Sequence, residues 1–148
     1  MDTELVARLR AVIPRLARVL NDTSTGADLT PTQYSVLALV HVRGPLGLTE
    51  LTELEGLNPT MLSRVVKALD ERGLIRRRPD PDDLRAARVE VTPEGAKLHE
   101  QVRTQRTEVL SECLTGLPPK TTAMLLQAVP DLEALAVALK PPPKPAKG

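Results

Sequence analysis

The stretch "LTELTELEGLNPTMLSRVVKALDERGLI", residues 48–75, decides the fold. Thr49 is placed to cap a short helix, with Glu50 and Glu53 in its first turns, where the helix dipole favours acids. Gly56 closes that helix and "LN" turns the chain. Asn58 then caps a second helix with Pro59 at its first position, and Gly73 ends it. Two short helices joined by a tight, glycine-containing turn are the sequence form of a helix-turn-helix.

The second helix has two different sides. Successive helical residues advance about 100°, which gathers Leu62, Val65, Val66 and Leu69 into one apolar arc. Thr60, Ser63, Arg64, Lys67 and Glu71 fall opposite. The major groove of DNA admits one α-helix, short hydroxyl side chains allow close approach to bases, and an arginine fork matches guanine O6 and N7. Pro59, Thr60, Ser63, Arg64 and Lys67 are therefore the candidate DNA-contacting residues. The plainer reading is the wet side of an amphipathic helix, and the helix-turn-helix context favours the first.

Immediately downstream, "ERGLIRRRPDPDDLRAARVEVT" (residues 71–92) holds six arginines and five acids. "LIRRRP" and "ARVEVT" alternate well enough to be strands of a hairpin, joined by "DPDDLRA". Residues 59–88 carry eight basic and five acidic residues, so this stretch is +3 in a chain of only +1. Arg76, Arg77, Arg78, Arg85 and Arg88 are placed to lie along phosphates, with Arg85 at the hairpin tip, where a narrow minor groove attracts arginine. Asp80 and Asp83 are placed to cap turn amides and hold an arginine in a fixed pose. The run reads as a wing.

Outside this region, Leu5, Leu9, Val12, Ile13, Leu16 and Leu20 recur at helical spacing, predicting a first helix near residues 3–20 that Pro14 should kink or divide. After a loop, "NDTSTGAD", Thr30 and Pro31 start the helix "PTQYSVLALVHV". Thr92 and Pro93 open a helix reaching about residue 114, and a last helix fills roughly 118–139. The first and last helices are apolar enough to pack against another subunit, through Leu5, Leu9, Ile13, Leu125, Leu132, Leu135 and Leu139; the plainer reading is a core within the chain. The predicted fold is mainly α with a small β-hairpin wing. Residues 1–28 form an N-terminal dimerisation helix and loop, 29–92 the winged helix-turn-helix, 93–139 the C-terminal dimerisation helices, and 140–148 a Pro/Lys-rich disordered tail.

These residues resemble the MarR family of winged helix-turn-helix transcription regulators. Leu62-Ser63-Arg64, Leu69-Asp70-Glu71-Arg72-Gly73-Leu74-Ile75, the wing residues Arg77, Asp80, Asp83 and Arg85, and Val91-Thr92-Pro93-Glu94-Gly95 carry the resemblance, which runs from about residue 29 to 95. Leu84 departs from it, standing where the family usually has the first of two arginines and leaving Arg85 or Arg88 to compensate. The resemblance implies a homodimer whose two winged domains read a pseudo-palindrome in double-stranded DNA, about one helical turn apart. It further implies a repressor released by a small apolar or phenolic effector. The pocket would lie between the dimer helices and the winged domain, with Arg15, Leu16, Tyr34 and His41 as candidates.

Other classes fare worse. No phosphate-cradling glycine loop, nucleophile–base pattern or metal cluster points to an enzyme. His41 and His99 are far apart in sequence and show no metal-ligand spacing with Cys113, so neither a metal nor another cofactor is expected. Cys113, with Glu108 and Glu112 near and no adjacent base, is expected to be a small buried or half-buried residue, and a lone cysteine suits a reducing cytosol. "MDTELVARLR" is unlike a signal peptide, and no apolar run is long enough to span a bilayer, so no membrane partner is expected. A winged module that binds protein instead of DNA should carry apolar anchors on the outward helix face, which here is polar and basic.

Overall fold

The structure, a computed structural model, describes residues 1–22, 28–82 and 87–139. The elements run α1 (Thr3–Asp22), α2 (Pro31–Arg43), β1 (Leu46–Gly47), α3 (Leu48–Glu55), α4 (Pro59–Glu71), β2 (Ile75–Pro79), β3 (Ala87–Val91), α5 (Pro93–Thr115), α6 (Pro119–Gln127) and α7 (Val129–Ala138). They divide into two units, Met1–Val109 and Leu110–Gly148.

Local hydrogen bonds set most boundaries in the first unit. Thr30 forms a capping box with Gln33: its hydroxyl accepts the Gln33 N–H at 3.1 Å while the Gln33 side chain accepts the Thr30 N–H at 3.1 Å. Gly56, at φ +66°, closes α3 in the left-handed region. The end of α4 is a Schellman turn around Gly73 at φ +72°, with Leu74 N–H on the Leu69 carbonyl (3.0 Å) and Gly73 N–H on the Asp70 carbonyl (2.9 Å). Leu69 and Leu74 both lie in the core, the apolar contact that usually accompanies this turn.

Three expectations are corrected. Thr49 does not cap α3: the helix begins at Leu48 behind Gly47, which offers no side-chain cap, and Thr49 lies inside it. The hairpin is not alone, because Leu46–Gly47 pairs with β3 to give an antiparallel sheet of order β1-β3-β2, the two-residue strand being too short to show alternation. The single last helix is two, α6 and α7, because Pro130 has no N–H to bond back to the Leu126 carbonyl. Pro14, by contrast, removes one bond from α1 without dividing it. The loop residues 23–27, the hairpin tip 83–86 and the tail 140–148 lie outside the described residues.

Val36, Leu37, Val40, Leu46, Leu51, Leu62, Val66, Leu69, Leu74, Ile75 and Val89 form one core, so α2, α3, α4 and the sheet share a single apolar centre. A smaller cluster of Tyr34 and Val102, with Leu29, Ala38 and Leu98 against it, ties α5 to α2. The start of α5 is pressed on the end of α4. Thr92 donates its hydroxyl to the Gly73 carbonyl (2.6 Å), accepts the Gly95 N–H (3.1 Å), and gives its own N–H to the Leu74 carbonyl (3.1 Å). A Cβ on Gly95 would stand 2.0 Å from that carbonyl oxygen. Gly95→Ala should therefore lower stability by about 1–3 kcal/mol in urea unfolding, as overpacking against fixed backbone does. An unchanged midpoint would show that α5 does not pack this tightly.

Candidate nucleic-acid interface

Helix α4 starts where the Asn58 side chain accepts the Met61 N–H at 2.8 Å, with Pro59 at the first helical position. Its inner arc is Leu62, Val66 and Leu69, all buried, with Val65 half-buried beside them. Pro59, Thr60, Ser63, Arg64 and Lys67 are all exposed, as the helical spacing requires. Lys67 approaches Glu71 at 3.9 Å, but both side chains are about two-thirds exposed or more, so the pair contributes only tenths of a kcal/mol. Among the described residues Arg64 enters no ion pair. Met61, 48% exposed beside Thr60, is an apolar side chain on this surface that the polar-face reading passed over.

The hairpin sets the arginines by register. Arg76 faces Glu90, Arg77 faces Val89 and Arg78 faces Arg88 across the strands. Because side chains alternate, Arg76, Arg78, Arg88 and Glu90 share one face, and Arg77 shares the other with Ile75 and Val89. Glu90, its side chain only 14% exposed, accepts from Arg76 Nε and from Arg78 Nε, the latter at 2.7 Å. Arg88 Nε reaches Asp80 Oδ2 at 3.3 Å, while Asp80 Oδ1 accepts the Asp82 N–H at 2.9 Å. Asp80 thus sits where a brace was expected, and Glu90 is a second brace that sequence spacing did not single out. Only the strand register puts Glu90 between two arginines. Arg85, Asp83 and the departing Leu84 lie outside the described residues.

Arg15 and Leu16 are exposed on α1. Tyr34 and His41, on α2, meet two side chains of α5: Tyr34 stacks on His99 at 5.7 Å, His41 and His99 rings lie 4.5 Å apart, and Arg106 sits 4.1 Å over the Tyr34 ring. Tyr34 is a buried packing residue, and burial pushes its phenol up. Burial, then the neighbouring His41, hold His99 below the ordinary histidine value near 6.5.

Leu5, Leu9, Ile13, Leu125, Leu132 and Leu139 are exposed, Leu135 is half-buried, and α1, α6 and α7 each bury no residue. Cys113 is corrected: it is exposed, not buried, because the described end of α5 from Leu110 onward carries no buried side chain at all. No helix among the described residues is long and apolar enough to cross a membrane.

Comparison with known proteins gives a consistent match. The MarR family model matches residues 29–87. The multiple antibiotic resistance protein MarR of Salmonella typhimurium is 33% identical over 98 residues, 66% of this chain and 68% of that one. An HTH-type transcriptional regulator of Mycobacterium bovis, Mb0904, is 30% identical over 116 residues, 78% of this chain and 81% of that one. In fold, the crystal structure of a mutant MarR from Escherichia coli complexed with operator DNA superposes with a TM-score of 0.65 at 24% identity, covering 93% of this chain and 94% of that one. The helix-turn-helix, the wing and these two relatives lead to one conclusion: the chain belongs to the MarR family.

Proposed function

We propose that the chain is a cytoplasmic, homodimeric transcriptional repressor that reads a pseudo-palindromic DNA operator and is released by a small apolar or phenolic effector. The observation that carries the DNA reading is α4: a buried apolar arc behind an exposed outer face of Thr60, Ser63, Arg64 and Lys67. Arg64 reads guanine through its fork, Met61 meets a thymine methyl, Thr60 and Ser63 allow close approach, and Lys67 contacts phosphate. Pro59 and the Asn58 cap bring the positive helix end towards the backbone. Arg76, Arg77, Arg78, Arg85 and Arg88 track phosphates, with Asp80, Asp83 and Glu90 holding their poses. The relatives named as transcriptional regulators, and the neighbour crystallised with operator DNA, support the same reading.

Dimer formation is supported by the exposed stripe Leu5, Leu9, Val12, Ile13 and Leu16, which follows one face of α1, and by the exposed Leu125, Leu132 and Leu139. The effector reading rests on the resemblance, with Arg15, Leu16, Tyr34 and His41 as its residues. A protein-docking role for α4 is disfavoured because Met61 is the one large apolar side chain exposed on it.

Two variants test the reading. Arg64→Ala should weaken binding to DNA from upstream of the chain's own gene by about 1–3 kcal/mol, roughly 5- to 150-fold, and leave random duplex nearly unchanged in anisotropy titrations. Equal weakening on both DNAs would mean that Arg64 touches phosphate only. Leu132→Asp should turn a dimer into a monomer by sedimentation velocity, and a variant that still sediments as a dimer would remove α7 from the interface.

A further inference from the structure

We propose that His41, His99 and Glu100 form a site for a divalent transition-metal ion of the zinc type, clipped between α2 and α5. Their ligand atoms all lie within 4.8 Å of one another, although His41 and His99 are 58 residues apart in the chain. The expectation of no metal rested on sequence spacing alone, which does not bring His41 and His99 together. His99 is 8% exposed, and its Nδ1 and that of His41 are buried without a hydrogen-bond partner. A buried imidazole nitrogen without a partner is costly unless something occupies it. Glu100 Oε1 already stands 3.8 Å from His99 Nδ1.

Around a tetrahedral ion with bonds of about 2.0–2.1 Å, ligand atoms stand roughly 3.3 Å apart. From the present spacing the ligand atoms must close by up to about 1.5 Å. Glu100 is the mobile partner: it is half-exposed and pairs only loosely with Arg103, at 3.7 Å. Two imidazoles and a carboxylate select borderline ions such as Zn2+ or Ni2+ over Mg2+ and Ca2+, which prefer oxygen alone. Three protein ligands leave a position open to water or an exchanging group. The guanidinium of Arg106 beside Tyr34, and that of Arg103, oppose the ion's charge, so the site is an exchangeable one and not a permanent structural clasp. All three ligands lie within Met1–Val109, and the site stands independently of whether α4 reads DNA.

The test is titration of chelator-treated, tag-free full-length protein with Zn2+ against a chromophoric indicator, paired with Co2+ absorption spectra. The expected result is one equivalent per chain, unaffected by millimolar Mg2+, with Co2+ bands of nitrogen and oxygen ligation and no thiolate charge transfer. His99→Gln should abolish binding, and Glu100→Gln, at an exposed position that does not threaten the fold, should weaken it about tenfold or more, in line with the loss of a supporting ligand. Cys113→Ser should bind as the parent does. Absence of uptake by the parent chain overturns the proposal. So does uptake that survives both His99→Gln and Glu100→Gln, or uptake that disappears with Cys113→Ser.

Discussion

The junction between Gly73–Leu74 and Thr92–Gly95 is the constraint on which the helix-turn-helix and the hairpin both depend. Gly73 turns the chain out of α4 in a backbone region that side chains disfavour, and Leu74 drops into the core. One hydroxyl, that of Thr92, then bonds both to the carbonyl of Gly73 and to the first turn of α5. The Leu74 carbonyl, taken up by the Thr92 N–H, lies where Gly95 alone leaves room. Three elements are fixed by this contact: the C-terminus of α4, the base of the β2–β3 hairpin and the start of α5. A shift there would move the wing arginines and the outer face of α4 relative to each other.

Electrostatics in the wing are local. The chain as a whole carries a formal charge of +1, yet Arg76, Arg78 and Arg88 occupy one face of a two-stranded ribbon. Like charges this close would repel, and Glu90 and Asp80, both largely sequestered from water, offset that repulsion. The carboxylates do not cancel the surface: three arginines against two acids leave an excess of positive charge on that face. They also limit the rotamers of Arg76, Arg78 and Arg88. Arg77, opposite Val89, stands on the other face and enters no ion pair among the described residues.

The junction of α2 with α5 is built from different chemistry. In a chain with one tyrosine and no phenylalanine or tryptophan, the contact is made by Tyr34, His41, His99 and Arg106 instead of a further leucine layer. Rings stack there and a guanidinium covers one of them, but the polar atoms Nδ1 of both histidines and Nε of Arg106 are left without partners. Such groups weaken a purely structural contact. Their concentration at one place sets this junction apart from the apolar centre shared by α2, α3 and α4.

What the sequence determined by itself was local. Thr30, Asn58, Gly56, Gly73 and the prolines that open α2 and α4 act within about one turn of the chain, so these helix boundaries and the two faces of α4 were legible from spacing. Family membership was legible too, because the motif from Leu62 to Gly95 is continuous in the chain. Where a local signal was weak, as at Thr49, or interrupted, as at Pro130, the boundary was misread. Long-range pairings were decided only by the tertiary structure. Glu90 came between Arg76 and Arg78 by strand register, and Leu46–Gly47 became a strand only because β3 offered it an edge. His41 met His99 because two helices far apart in sequence bury Tyr34 and Val102 together. Caps and periodicity are set by bonds within a few residues, whereas register and helix packing follow from burying a shared core, which no local stretch of sequence encodes.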